Sequence, residues 1–416
     1  MRAVKSLLLV FLIYIFPVGH ALQAGDLKID IHGYLSQGFL ISNKNNFLAD
    51  TEKGTFQFNE LGINFSTDVT DKLRVGIQLA ARDIGDTGND KVKIDWAFAD
   101  YRQWDWLGIR VGQMKVPLGF YNKTRDLDML RTAILLPQSI YSEIFRDNTN
   151  AIKGIGGYGD ISIKALGNVS YEVLVGTMEI DNDSITTKRS EARGGIKVEK
   201  YDVHTMAVWA IQWETPLEGL RIGTSHEYGS LETHATLTED IVIPVSFPPY
   251  TITAAEKGAA VLSSIPDLKL SVYSLEYTWG DLVLVAEYLR LKHDVSSRVA
   301  GLEVLRGNVN VESFYGSADY RVSDWFVLGA YYSVFFRDRN DRDGTKTPYN
   351  PLFSAYQKDA CLSFRFDLND HWIFKLEGHV IDGVGLINLQ DNLNDAGVPE
   401  FDRKWFLLAA KMTFNF

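Results

Sequence analysis

From Leu73 to Arg82 the chain alternates: Leu73, Val75, Ile77, Leu79 and Ala81 fall on one side, Arg74, Gly76, Gln78, Ala80 and Arg82 on the other. A period of two belongs to an extended strand, whose successive side chains point to opposite faces. The rhythm returns in Leu107, Ile109 and Val111 against Arg110 and Gly112, and in Leu362, Phe364 and Phe366 against Cys361, Ser363, Arg365 and Asp367. It returns once more in the run Trp405 to Phe416, where Phe406, Leu408, Ala410, Met412, Phe414 and Phe416 oppose a mixed face with Lys411, Thr413 and Asn415. Each segment offers one oily side and one side that suits water.

A soluble sandwich also alternates, so length and punctuation discriminate. Many segments run about 10 to 14 residues, enough for a tilted strand to cross a bilayer and longer than the ~5 to 6 typical of globular sheets. Very short polar joints link strands in pairs: Thr70-Asp71, Trp104-Asp105, Gly167-Asn168, Pro216 to Gly219, Gly280-Asp281, Ser323-Asp324 and Asn369-Asp370. These residue types favour tight turns. Strands are predicted to begin near Leu27, Phe56, Lys72, Val92, Leu107, Ala151, Val169 and Val203. The series continues near Leu220, Leu268, Leu282, Val309, Trp325, Gln357, His371 and Arg403, about sixteen in all, an even number as in membrane barrels. Long polar connections fall between the pairs: 43–55, 83–91, 117–150, 181–202, 231–267, 293–308, 338–356 and 383–402. The expectation is an all-β fold, a transmembrane antiparallel up-and-down β-barrel with short turns on one rim and long loops on the other.

Tryptophan placement agrees. Trp104, Trp106, Trp213, Trp279, Trp325 and Trp372 sit at or beside the short joints, as expected for an aromatic girdle at a lipid-water boundary. Capping of hairpins in a soluble sheet is the competing reading, and Trp96, Trp209 and Trp405 do not fit that rim.

At the other end Arg2 and Lys5 precede an apolar stretch from Leu7 to Val18, with small residues at Gly19, Ala21 and Ala24. This is expected to be a signal peptide, residues 1–24, cleaved after Ala21 or Ala24, and 25–416 to be a single barrel domain. Its apolar core is shorter than the roughly 20 residues of a spanning helix. The formal net charge of −11 becomes −13 once Arg2 and Lys5 leave with a segment that carries no acid, which argues against nucleic acid as a partner. The single cysteine, Cys361, excludes an internal disulfide framework and reads as a small filler on a strand.

The connection 117–150 differs from its neighbours by carrying Leu127, Met129, Leu130, Ile134, Leu135, Leu136, Ile140, Ile144 and Phe145 among charges, with spacing that allows a helical turn or two. A long apolar loop must pack against something. Its charges Lys123, Arg125, Asp126, Asp128, Arg131, Glu143 and Arg146 would face the inward wall positions Arg74, Arg82, Arg110, Arg365 and Glu377. Opposed charges across a narrow lumen select permeants by size and sign. The alternative for each is a solvated side chain or an ion pair that anchors the loop.

The closing run resembles the C-terminal strand of Gram-negative outer-membrane barrels, and the whole pattern from residue 25 resembles the sixteen-stranded porins. The segment Arg110-Val111-Gly112-Gln113-Met114-Lys115-Val116-Pro117-Leu118-Gly119 is similar to the strand before the constriction loop of the phosphate-selective porin family. Gly33-Tyr34-Leu35-Ser36-Gln37-Gly38 resembles porin openings. No dense lysine ladder accompanies it, so the family name carries no phosphate assignment. The resemblance implies an outer-membrane location, lipid and lipopolysaccharide around the barrel, a homotrimer, a third extracellular loop folded inward, and Phe416 as the handle read by the barrel assembly machinery. It implies passive diffusion of small hydrophilic solutes or ions, and the wall arginines favour anions mildly. The alternatives are a substrate-specific uptake channel, or a sheath around a periplasmic partner such as a cytochrome. A sheath needs an unobstructed lumen, whereas 117–150 looks built to obstruct.

Catalytic signals are weak. None of the eight histidines stands at metal-ligand spacing with a cysteine or another histidine in the sequence, and no cofactor motif is present. Asp338 to Gly344 resembles a calcium loop only loosely, since Arg339 and Asn350 occupy the first and last ligand positions, and it reads as a solvated loop. His226 with Ser225, or His234 with Glu232, does not make an enzyme.

Overall fold

The computed structural model describes residues 28–416 except 86, 147–149, 246–249, 347–350 and 389, so the expected signal segment lies outside the described residues. Sixteen antiparallel strands close into one barrel. They are β1 (Asp30–Ser42), β2 (Phe58–Thr70), β3 (Leu73–Ile84), β4 (Lys93–Trp104), β5 (Leu107–Lys115), β6 (Ala151–Ser162) and β7 (Asn168–Thr177). β8 is broken into Ile196–Val203 and Met206–Glu214, and is followed by β9 (Leu220–Leu237), β10 (Ala260–Trp279), β11 (Leu282–Val299) and β12 (Leu302–Ser323). The ring ends with β13 (Phe326–Phe336), β14 (Tyr356–Asp367), β15 (Trp372–Gly383) and β16 (Lys404–Asn415).

Closure comes from β1 pairing with β16, in register from Tyr34 opposite Asn415 to Ser42 opposite Leu407. Gly33 and Phe416 extend the seam by exchanging both backbone hydrogen bonds at 3.0 Å. Gly33 is required there, since a Cβ would stand 2.6 Å from the Phe416 ring. No edge is left to meet lipid with unpaired amides.

Burial is inverted relative to a soluble protein. Leu35, Leu376, Val380, Phe406 and Leu408 are exposed, while their neighbours Ser36, Glu60, Lys375, Glu377, His379, Lys411 and Thr413 are buried. An apolar outer face around a polar interior is the membrane-barrel arrangement. The six tryptophans beside the short turns are all exposed, whereas Trp405 is fully buried, packs on Phe47 with ring centroids 5.6 Å apart, and donates to the Gly383 carbonyl.

All seven short joints fall between paired strands as expected, and the long loops need correction. The connections expected at 181–202, 231–267 and 293–308 are partly strand, because β8 to β12 continue beyond the others. The added ladder buries a small core of Val198, Ala235, Leu237, Val261 and Val299. Register shifts at Gly229/Leu231, Ser264/Lys269 and Ser297/Arg298 interrupt the period of two, so these stretches look irregular in sequence. A helix, α1 (Ile185–Gly194), is capped by the Ser184 hydroxyl and ended by left-handed Gly195. The calcium-like loop is not simply solvated either: Asp341 is buried, and Arg339 and Arg342 both clasp Glu312.

Deleting Phe416 removes the seam bonds at Gly33. The expected result is a several-fold lower yield of barrel with heat-modifiable migration on gels.

Candidate functional site in the barrel lumen

The inward side chains of the strands set the site. From β2, β3 and β16 they are Glu60, Gln78, Lys411 and Thr413; from β11, β14 and β15 they are Glu287, Arg365, Lys375 and Glu377. The segment 117–146 meets all of them. It has two 3-10 turns, Asn122–Thr124 and Asp128–Leu130, in keeping with the turn or two that its spacing allows.

One end is held by β9 and β11. Gly119 N donates to Ser225 Oγ (2.8 Å), Phe120 N to Glu287 Oε1 (2.9 Å), and the Tyr141 and Tyr315 hydroxyls donate to Glu287 Oε2. Gly119 has φ +58°, and a Cβ there would run into the Tyr141 hydroxyl. The middle is held by β14, β15 and β16. Lys375 donates to the Asp128 and Arg131 carbonyls at 2.7 and 2.8 Å and lies 3.1 Å from the Asp128 carboxylate, which also accepts from Thr413 Oγ1 (2.8 Å). Glu377 accepts the backbone amides of Ile134 (2.6 Å) and Leu135 (3.1 Å), and Arg365 donates to the Met129 and Arg131 carbonyls.

The far end is a chain of ion pairs. Arg125 donates to Glu143 (2.9 Å), Glu143 accepts from Arg146 (3.1 Å), and Arg146 and Lys411 share Glu60. Asp126 takes Lys115, itself 2.9 Å from Asp95, together with Gln78 Nε2.

These placements separate the expected site residues into two groups. Asp126, Asp128, Arg146 and Glu377 are buried in contacts that join the segment to the wall, whereas Arg125 and Glu143 are buried in a pair within the segment. Asp126 and Arg146 also border a cavity, and the remaining positions are more open to water. Lys123 is exposed and paired with Glu172 (2.6 Å); Arg110 is paired with Asp100 (2.9 Å) and stacks on Tyr158; Arg74 donates to Ser66 Oγ near the short-turn rim. Arg82 borders a cavity of about 700 Å³ toward the long-loop rim, shared with Lys91, Lys93, Asp95 and Asp181. Arg131 and Arg365 border a second cavity of about 530 Å³ toward the short turns, with Arg221, Arg321, Glu276 and Asp319.

Charge on the segment follows from the pairing. Burial raises the Asp128 carboxyl, but Lys375, Lys411 and Arg131 outweigh it and hold it well below the usual range. Burial likewise opposes ionisation of Glu143, and Arg146, Arg125 and Arg82 bring it down to about 2. Burial pushes Arg125 down to about 10 against the pull of Glu143. Each group is charged at neutral pH, so the segment is a fixed ionic lattice.

Lys115, Gln78, Glu60, Glu287 and Lys375 were not singled out in the sequence. Their signal is phase: each stands on the inward side of its strand, and only the fold says which inward positions meet the segment. Cys361 also escaped, because its partner is across a strand. β14 and β15 pair with Cys361 directly opposite His379.

Comparison with solved structures places the fold. The chain is similar to OmpF of Salmonella typhi in complex with daunomycin (TM-score 0.56, 12% identity, covering 94% of this chain and 98% of that one). It is similar to the outer membrane channel DcaP of Acinetobacter baumannii (0.55, 10%, 96% and 100%) and to the anion-selective porin from Comamonas acidovorans (0.54, 11%, 94% and 100%). The likeness is to porins in general and does not single out the phosphate-selective family. No family model matches the chain, and no curated protein matches it in sequence.

Replacing Lys375 by Met leaves Asp128 short of its nearest cation, and breaking such a buried pair costs about 3–5 kcal/mol. Tryptic cleavage at Arg125 or Arg131 in the folded barrel is the expected outcome, with wild type resistant. The pH dependence has a defined sign. Carboxyls held low stabilise the attachment fully above the ordinary value of about 4 and lose that contribution as pH falls toward about 2. The contribution of Asp128 and Glu143 to protease resistance should therefore be constant from neutral pH to about 4 and fall only below it.

Proposed function

We propose that this protein is an outer-membrane channel for passive diffusion of small hydrophilic solutes, with the segment 117–146 as its constriction. The observation that carries the reading is the set of polar contacts that this segment makes with inward side chains on opposite sides of the ring, from Glu60 and Lys411 to Ser225 and Glu287. A segment held from both sides narrows a sixteen-stranded lumen, and a cavity of about 700 Å³ and one of about 530 Å³ lie on either side of it. The porin likeness of the fold supports the same reading.

The field in the lumen comes from the charges that border the cavities, Arg131 of the segment among them. In the inner cavity four arginines, Arg131, Arg221, Arg321 and Arg365, face three carboxylates, Glu276, Asp281 and Asp319. The balance supports a mild preference for anions. A sheath around a cytochrome is disfavoured because the segment occupies the space such a partner needs. Residues 1–24 act as the export signal in this reading, and a homotrimer is the assembly that the porin resemblance implies.

Planar-bilayer recording of purified barrels tests it. Discrete steps of sub-nanosiemens to nanosiemens order are expected, and complete electrical silence in folded protein would remove the channel reading. In a salt gradient the reversal potential should indicate weak anion preference and move toward cations in Arg131→Gln with Arg321→Gln. Arg110→Gln, at a position that borders neither cavity, should move it less.

A further inference from the structure

Strand register makes a side-chain cluster that the channel reading does not use. Cys361 on β14 stands opposite His379 on β15, and Ser363 opposite Glu377. All four face inward and are buried. The Cys361 sulfur, a Glu377 carboxylate oxygen and a His379 ring nitrogen lie within 4.8 Å of one another. The spacing Glu377-x-His379 puts both on one face of β15, and the cross-strand pair brings the sulfur to them.

The imidazole is already oriented as a ligand. Its Nδ1 lies 3.1 Å from both oxygens of Asp359, and its Nε2 lies 2.8 Å from Glu377 Oε1. A metal-bound histidine almost always rests its other nitrogen on a carboxylate or carbonyl, which fixes the tautomer and raises ligand basicity. Asp359 fills that place and leaves Nε2 directed at Glu377 and Cys361. One sulfur, one nitrogen and one oxygen donor suit a borderline-soft divalent ion of the zinc class and not calcium or magnesium.

The cluster is within reach of water. Tyr331 and Ser363 line the inner cavity, and both touch it: the Tyr331 hydroxyl lies 3.3 Å from Asp359 Oδ2, and Ser363 Oγ lies 3.0 Å from Glu377 Oε2 and 3.4 Å from Cys361 Sγ. We propose that Cys361, Glu377 and His379 form a binding site for a zinc-class divalent metal, with Asp359 orienting the histidine and access from the inner cavity. Binding replaces the thiol proton and the proton shared by Nε2 and Glu377, which leave to solvent. Because Glu377 also holds the amides of Ile134 and Leu135, an ion there is tied to the attachment of the constriction segment. The placement of the protein's one cysteine opposite an oriented histidine is then chemistry in addition to filling.

Co2+ is the probe for the test, titrated into purified, folded barrel in detergent. The expected result is saturable binding of one ion per barrel with a thiolate-to-cobalt charge-transfer band, bleached by added Zn2+. Cys361→Ser should lose the band while keeping heat-modifiable migration. Asp359→Asn should weaken binding roughly 10–100-fold, as for lost carboxylate partners of metal-bound histidines. Absence of the band in folded wild type overturns the proposal, as does a band that persists in Cys361→Ser. A second reading needs no variant: Zn2+ should slow mixed-disulfide formation between Cys361 and a small methanethiosulfonate, which releases methanesulfinate, in the wild-type barrel, and an unchanged rate overturns the site.

Discussion

The constraint on which everything else depends is that a sheet in lipid cannot keep a free edge. Unpaired amides in hydrocarbon cost several kcal/mol each, so β1 must find β16, and the pairing of Tyr34 through Ser42 with Asn415 through Leu407 does this. Closure at sixteen strands leaves a lumen too wide for wall side chains to fill. The rest of the structure answers that emptiness. Phe47 and Leu48 from the first long loop, Val384, Leu386 and Ile387 from the last, and Ile134, Leu135 and Ile144 from 117–146 pack into one apolar cluster with Trp405 and Leu407.

Holding a polar backbone segment inside a barrel requires partners for its amides, carbonyls and charges. Glu287, Glu377 and Lys375 supply them from the wall, while Asp128, Glu143 and Arg146 are each shared between two or more opposite charges. Buried pairs of this kind add little net stability over an apolar core, because desolvation cancels much of the attraction. Their effect is to specify one position: a slipped segment would strand an unpaired charge. The segment is therefore held in one place by the wall.

Much of the fold was legible in the alternation. The period of two, the seven turn joints and the girdle tryptophans are local signals, set by which side of a strand meets lipid and by which residues tolerate a tight turn. The strand extensions of β9 to β12 were not legible, because their bulges break the period and their core of Val198, Ala235 and Val261 depends on the register between three neighbouring strands. In the site, inward phase marked Arg74, Arg82, Arg110, Arg365 and Glu377 from sequence, and the charge content of 117–150 marked the segment. What Arg125 or Asp128 does there was open between field and anchor.

The sequence by itself determined which side of each strand faces lipid, where the chain turns back, and that one loop must be packed, since each depends on residues within a few positions of one another. Only the tertiary structure decided that Asp128 sits between Lys375 and Lys411, that Glu60 joins Arg146 to Lys411, and that Cys361 looks across at His379. Those relations depend on strand register and on barrel closure, which bring together side chains as far apart in sequence as Glu60 and Lys411. A one-residue slip would leave the sequence pattern almost as it is and dissolve every one of them.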